Sequence, residues 1–425
     1  MIGEMFRLLT DSTGTNSEGK HISSFQAFAV SLATRVGTGN LAGVATAITV
    51  GGPGAVFWMW IMALLGSATA FVESTLAQLF KKRHTESFIG GPAYYIYKGL
   101  KSKWMAFLFA ILMTLTFGLS NNSVQSNTIC HAMEQAFGCD HIIVGVFITL
   151  LTLVIIFGGI QRIAKVSSVI VPIMAVGYLI LTVVIIVMNI ELVPKVFAVI
   201  INDAFGVKQV AGGGFGIMVM QGVKRGLFSN EAGEGSAPNV AATADVTHPV
   251  KQGLIQALGV FTDTLVVCSC TAFIIIISGL YNSGADGIQL TQIALEAEIG
   301  PAGPVVIAVA IFLFAYSSVI GNYYYGEANI RFMTDKKMPL TIYRLLSGGV
   351  MVMFGAMATL NTVWNIVDLC MAMLTACNLL ALIFLGKYAF RLLKDYQNQR
   401  KAGIKNPVFH KSLLPEIQND IECWQ

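Results

Sequence analysis

Residues 35–43 read RVGTGNLAG, and their setting decides what kind of protein this is. Gly37, Gly39 and Ala42 match the G-x-G-x-x-G/A spacing of a dinucleotide-binding turn. That turn needs a strand before it, a polar-faced helix after it and an acid about 20 residues further on. Here both flanks are apolar, and the next acid is Glu73, inside another apolar stretch. The nucleotide reading is excluded. Two readings remain, glycines that merely let helices pack closely and a helix broken within a membrane; two glycines and a threonine within four residues favour the break. Each glycine weakens a helix by roughly 1 kcal/mol relative to alanine. Polar backbone at that depth is tolerated only where it faces a cavity or is buried in protein. Such a break leaves two half-helices. The N–H groups opening the second suit a carboxylate, and the carbonyls ending the first suit a cation.

The rest of the chain supports a bilayer setting. Of its 425 residues, 55% are hydrophobic and 12% are charged, against about 25% charged in a soluble domain. The apolar residues fall in long runs, several near the ~20 residues that cross a bilayer. Ten segments emerge, at approximately 23–50, 53–80, 104–131, 141–158, 166–189, 210–240, 250–279, 303–330, 339–358 and 362–386. Residues 192–206 are too short and polar to span and read as an interfacial helix. The seven cysteines show no metal-like spacing, and Cys268 and Cys270 lie in an apolar run where thiols pack as small hydrophobes. The first 22 residues lack the apolar core of a signal peptide.

Basic residues orient the segments. With a cytoplasmic N-terminus, 21 of the 27 Lys and Arg lie in cytoplasmic loops and the two ends, and only Lys195 and Lys208 lie outside; this is the positive-inside pattern. The layout is a cytoplasmic N-terminus (1–22), five segments (23–189), an external interfacial stretch (190–209), five segments (210–386) and a cytoplasmic tail (387–425). Five spans per half give the halves opposite orientation, a common transporter plan. A faint echo accompanies it: Arg35, Gly37 and Asn40 in segment one, Arg225, Gly226 and Asn230 in segment six.

Segment six carries KRGLFSNEAGEGSAP, residues 224–238. Residues 213–223 alone are too short to span, so this segment too is read as interrupted. A charge at the bilayer centre costs about 2.5–3.5 kcal/mol on insertion scales, so these groups need a cavity or a partner. Glu73 could accept backbone N–H groups of an unwound neighbour or pair with Arg225. Asp263, between Thr262 and Thr264, forms a hard-oxygen cluster suited to an alkali cation; a hydrogen-bonding role is its alternative. Ser317 and Ser318 either bond back to their own helix or coordinate a cation. Asn121, Asn122, Gln125 and Asn127 form a polar patch whose one face could line a pathway. The six histidines fall in or near loops, and no hydrolytic or redox grouping emerges.

Together the stretches VGTGNLAGVATAITVGGPGAVFWMWIMALLG, GGPAYYI, GVKRGLFSNEAGEGSAPNVAATADVTHPVKQG and FTDTLVVCSCTAFIIIISG resemble the alanine or glycine:cation symporter family, across about residues 25–385. The resemblance implies an all-α polytopic membrane protein with the leucine-transporter-type fold. That fold has ten helices in a five-plus-five inverted repeat, with helices one and six interrupted. It implies sodium-driven uptake of small neutral amino acids across the cell membrane, with no cofactor and with sodium as co-substrate. Thr38 and Gly39 amides would receive the substrate carboxylate. Gln125, Phe228 and Asn230 would line the pocket, with Phe228 capping the small side chain. Asn40 would ligate one sodium, with Asp263 or Thr264 as companion. Carbonyls of Ala33 and Val36 with the hydroxyls of Ser317 and Ser318 would form a second sodium site. Glu73, with Arg225, would steady the unwound sixth helix. Family members carry a further apolar segment ahead of the core, where this chain has 22 polar residues; the ten-segment core is expected to hold the whole site.

Two other readings compete. Lys165 could place an ammonium where a sodium would sit, making the coupling protonic. A channel would need a continuous polar path, whereas the polar groups cluster at mid-span. No nucleic acid is implied; the partners are a small neutral amino acid, sodium and the lipid bilayer.

Overall fold

All ten apolar segments are helical in the computed structural model, which describes residues 2–10, 22–84, 87–206 and 214–424. The expected junctions at 11–21 and 207–213, with Lys20 and Lys208, lie outside the described residues. In chain order the helices are α1 (Ile2–Leu9), α2 (Ser24–Arg35), α3 (Gly39–Gly51), α4 (Ala55–Leu79), α5 (Pro92–Gly99) and α6 (Lys103–Phe137). They continue with α7 (His141–Ile156), α8 (Gly159–Met188), α9 (Val193–Ala204), α10 (Gly214–Asn230) and α11 (Ala237–Ala241). The last five are α12 (Pro249–Ser278), α13 (Gly287–Ile299), α14 (Ala302–Met333), α15 (Lys337–Met357) and α16 (Leu360–Lys401). A short antiparallel hairpin, β1 (Lys82–His84) and β2 (Ser87–Ile89), links α4 to α5.

Seven helices among the described residues are long and apolar enough to cross a membrane: α4, α6, the Lys165–Met188 part of α8, α12, α14, α15 and α16. The other three segments fall short for local reasons. Segment four gives only the 16 residues of α7. Segments one and six are broken, as their glycines predict.

The first break has an ordered start and a sharp end. Ser23 and Gln26 form a reciprocal capping box that opens α2 and satisfies N–H groups a helix cannot pair for itself. After Arg35 the backbone leaves helical geometry at Val36 (φ −76°, ψ 89°) and resumes through a wide π turn over Gly39–Gly43. In segment six the break runs from Glu231 to Ser236, with Glu231, Gly233 and Gly235 all at positive φ. Gly235 has a second constraint, since a Cβ there would lie 2.5 Å from Pro92 Cγ.

Some elements lie beyond the ten segments. α13, with its acids Glu296 and Glu298, is too mixed in polarity to read as a span; it packs on α14, and Thr291 Oγ1 donates to Leu41 O at 3.1 Å. Within the polar N-terminus, α1 is amphipathic and buries Met5 and Leu8.

The tail is more structured than its polarity implies. α16 continues to Lys401, and the chain then folds back to bury Phe409, Leu414, Ile417 and Trp424. Trp424 Nε1 donates to Gln78 O (3.1 Å), Lys98 pairs with Glu422 (2.8 Å) and Phe409 N donates to Thr247 O (3.0 Å). Glu4 of α1 accepts from Tyr396 and Arg400 of α16, and the guanidinium of Arg7 beside it holds its carboxyl down at about 2. Lys81 sits under the tail, 4.8 Å from the Trp424 ring, where burial pushes its ammonium down to about 8. Removing a buried Trp side chain typically costs about 3–5 kcal/mol. Trp424→Ala is therefore expected to lower the thermal midpoint by about 5 °C or more, read by thermal-shift size exclusion in detergent. An unchanged midpoint would mean the tail is not part of the cooperative unit.

Candidate functional site at the two helix breaks

The break in α2–α3 faces several other helices. At its centre, Gly37 N donates to Asn40 Oδ1 (2.8 Å), so Asn40 reaches back across the break from the start of α3. Thr38 donates through its amide (3.1 Å) and its hydroxyl (2.7 Å) to Gln125 Oε1 of α6. Gly39 faces the end of α10, where a Cβ would lie 2.9 Å from Ser229 Cα and 3.0 Å from the Phe228 ring. Phe228 meets Trp364 of α16 edge-on at 4.6 Å. The glycines thus bring bare backbone against an aromatic wall, with Gln125 alongside.

Beside this lies a cluster of oxygens. Asp263 is fully buried. Its Oδ1 accepts from Asn40 Nδ2 (2.6 Å), and its Oδ2 accepts from Ser229 Oγ (2.7 Å) and Thr264 Oγ1 (2.9 Å). Asn230 Nδ2 donates to Thr264 Oγ1 at 3.2 Å. Asp263 and Thr264 both point inward because residues 261–268 of α12 form a π-helical stretch, a distortion frequent at functional sites. Cys268 joins the cluster, with its sulfur 3.1 Å from Ser229 Oγ. The cluster places one buried carboxylate among neutral donors that satisfy both of its oxygens.

A second group forms where α2 ends. Ser317 and Ser318 of α14 donate to Ala33 O at 3.1 and 3.0 Å, and Ser318 also reaches Thr34 O at 3.1 Å. Both also bond back to Phe314 O, the first of the two behaviours expected of this pair. Gly37 adjoins them closely, since a Cβ there would lie 2.3 Å from Ser318 Oγ. Val36 supplies the turn itself. The residue that α8 presents here is Met174, with its sulfur 3.8 Å from Ser317 Oγ. Lys165 is exposed and is not brought to the pair.

The second break is held by carboxylates. Glu73 accepts from Gly233 N (3.4 Å) and Asn378 Nδ2 (3.0 Å), while Asn378 also donates to Gly233 O (2.9 Å). Glu231 accepts from Ser236 Oγ (2.6 Å) and Thr34 Oγ1 (3.2 Å), tying one break to the other. Glu234 is buried with neither carboxylate oxygen hydrogen-bonded among the described residues. Arg35 is the buried cation of this region and donates to Gln256 O (3.1 Å).

Two sequence expectations need correction. Arg225 does not meet Glu73: it pairs with Asp368 at 3.4 Å and lies 4.0 Å over Trp364, linking α10 to α16. The polar face of α6 does not act as one unit either. Gln125 reaches the break, but Asn122 donates to Ser347 Oγ, Ser126 to Val352 O, and Asn127 to Gly355 O and Ala358 O. Those groups serve the packing of α6 on α15. Sequence reasoning missed Ser229, Thr34, Cys268, Asn378 and Trp364. Ser229 and Cys268 sit inside motifs already singled out, Cys268 having been read as a packing thiol; the others carry no local signal.

Two interrupted helices, buried charges and oxygen clusters within an apolar helical bundle define a multi-pass membrane transporter. Its fold resembles that of a manganese transporter mutant from Eremococcus coleocola, with a TM-score of 0.55 at 14% identity, over 97% of this chain and 88% of the other. The chain matches the sodium:alanine symporter family over residues 1–411 and belongs to it. A relative described as the probable sodium/glutamine symporter GlnT of Bacillus subtilis is 51% identical, over 100% of this chain and 88% of its own length. The sodium/alanine symporter AgcS of Methanococcus maripaludis is 38% identical, over 92% of this chain and 87% of its own. The protein is thus a cation-coupled amino-acid symporter and not an enzyme.

Proposed function

We propose that the protein couples inward sodium movement to the uptake of a small neutral amino acid, alanine or glycine, by alternating access. The observation that carries this reading is the convergence of Ser317 and Ser318 on the carbonyls of Ala33 and Thr34 where α2 ends. Unwound backbone carbonyls are the usual partners of a coupling cation in such folds. In this reading Ala33, Val36, Ser317 and Ser318 hold one sodium; Asn40, Asp263 and Thr264 hold another nearer the substrate. Thr38 and Gly39 receive the carboxylate in place of part of the Gln125 contact. Gln125, Phe228 and Asn230 bound the side-chain pocket, and Glu73 secures the second break. Residues 23–189 and 210–386 act as two inverted halves, with both termini cytoplasmic. The exposure of Lys165 favours sodium over a proton as the coupling ion.

The driving force is sufficient. A sodium ion crossing about 100 mV gains about 2.3 kcal/mol, and a tenfold gradient adds about 1.4. One ion then supports roughly a few-hundred-fold accumulation of a zwitterion. The test is labelled alanine uptake into proteoliposomes under an imposed sodium gradient. Accumulation should collapse when choline replaces sodium at fixed pH, and equal uptake in both salts would sink the proposal. Because one relative is described as a probable sodium/glutamine symporter, unlabelled glutamine belongs among the competitors. Stronger competition by glutamine than by alanine would move the substrate assignment and leave the coupling intact.

A further inference from the structure

The turn between α6 and α7 gathers three side chains that the transport site does not use. His131 and Glu134 lie one helical turn apart on the last part of α6. Gly138, in the left-handed region at φ 67°, ends that helix with its N–H on Glu134 O at 2.8 Å. Asp140 caps α7 through Ile142 N (2.8 Å), and the tight reversal brings His141, the first residue of α7, back over Glu134. His141 Nε2 lies 2.9 Å from Glu134 Oε2, and His131 Nδ1 lies 3.8 Å from the same oxygen. The two imidazoles meet edge-on with centroids 4.7 Å apart. One ligand atom from each of the three lies within 4.8 Å of the others.

We propose that His131, Glu134 and His141 form a binding site for a divalent transition-metal ion of the zinc class. The donor set decides the ion. Two imidazoles with one carboxylate suit zinc, nickel, cobalt or copper, whereas magnesium and calcium take oxygen cages. Around a tetrahedral ion, nitrogen and oxygen ligands at about 2.0–2.1 Å stand about 3.3 Å apart. Closing from 4.8 Å needs only side-chain movement, and the Glu134 side chain is 57% exposed. The backbone already provides what rotation cannot: the left-handed Gly138 and the Asp140 cap hold the two histidines on one side of the turn. The partly exposed edge leaves the fourth position to water. An ion held here bridges the end of α6 to the start of α7.

The experiment uses purified, tag-free full-length protein, titrated with zinc against a chromophoric chelator, with a thermal midpoint at each step. One saturable equivalent per chain and a rise in midpoint are expected, since a ligand bound only by the folded state stabilises it. Paired His131→Ala and His141→Ala, and separately Glu134→Gln, should each weaken binding by at least about tenfold, a loss that even outer-shell partners cause. Sodium-dependent uptake in metal-free buffer should persist in these variants, which shows that they fold. Cys139→Ser should bind zinc as the parent does. No saturable equivalent, undiminished binding after both histidines are replaced, or loss on Cys139→Ser alone would each overturn the proposal.

Discussion

Asp263→Asn is expected to cut sodium-driven uptake by about a hundredfold or more, with the loss residing in sodium affinity. The carboxylate is fully buried and accepts from Asn40, Ser229 and Thr264. An asparagine keeps the shape but brings an amide donor, so the hydroxyls of Ser229 and Thr264 must turn from donating to accepting or leave it unpaired. Leaving a buried donor unsatisfied costs about 1–3 kcal/mol, and more where a charge is involved. Removing the negative charge also withdraws the only formal counter-charge in that oxygen cluster. Together these effects amount to about 3 kcal/mol or more, and 1.4 kcal/mol is tenfold in affinity. Uptake measured against sodium concentration, normalised to protein in the vesicles, reads the effect directly. A variant with unchanged half-saturation by sodium would remove Asp263 from the ion path and leave it a purely structural acceptor.

Gly39→Ala is the second large effect. The added methyl would stand 2.9 Å from Ser229 Cα and 3.0 Å from the Phe228 ring. The first of these is backbone, which cannot turn aside as a flexible side chain can. Overpacking of this kind typically costs about 1–3 kcal/mol, here at the point where the first break meets the wall of the pocket. Uptake should fall about tenfold or more, and alanine should no longer raise the thermal midpoint in the presence of sodium. Gly177→Ala, at an exposed glycine with nothing within 4 Å, is the control and should behave as the parent. If Gly39→Ala transports normally, the substrate does not approach this backbone.

Both predictions concern places where local and distant information meet differently. That residues 35–43 break a helix was legible because glycine's helix penalty and the cost of polar backbone in an apolar run are local quantities. The same holds for residues 230–236, where the structure puts Glu231, Gly233 and Gly235 at positive φ. The extent of the tail's folding was not legible. Its buried Phe409, Leu414 and Trp424 are scattered among polar residues, and their shelter comes from Gln78, Lys81 and Thr247 far back in the chain.

Side-chain partners show the same division. Arg225 lies beside the second break in sequence, and Glu73 was a reasonable counter-ion for it. Its actual partner, Asp368, stands 143 residues away on α16 and stacks no pattern onto the linear chain. Asn122 and Asn127 look like a pathway because polar side chains in an apolar helix demand a purpose. The purpose they serve is to satisfy acceptors on α15 and just past its end, including the carbonyls of Gly355 and Ala358.

The sequence by itself determined that the chain lives in a membrane, which segments leave water and where two of their helices break. Each follows from hydropathy and backbone propensity summed over neighbours along the chain. Only the tertiary structure decided which buried charge meets which partner, which face of α6 reaches the break, and which oxygens gather around Asp263 and Ser318. Those outcomes depend on contacts between separate helices, from 34 positions apart for Ser229 and Asp263 to 285 for Ser318 and Ala33, fixed by how the helices pack, and no local energy encodes them.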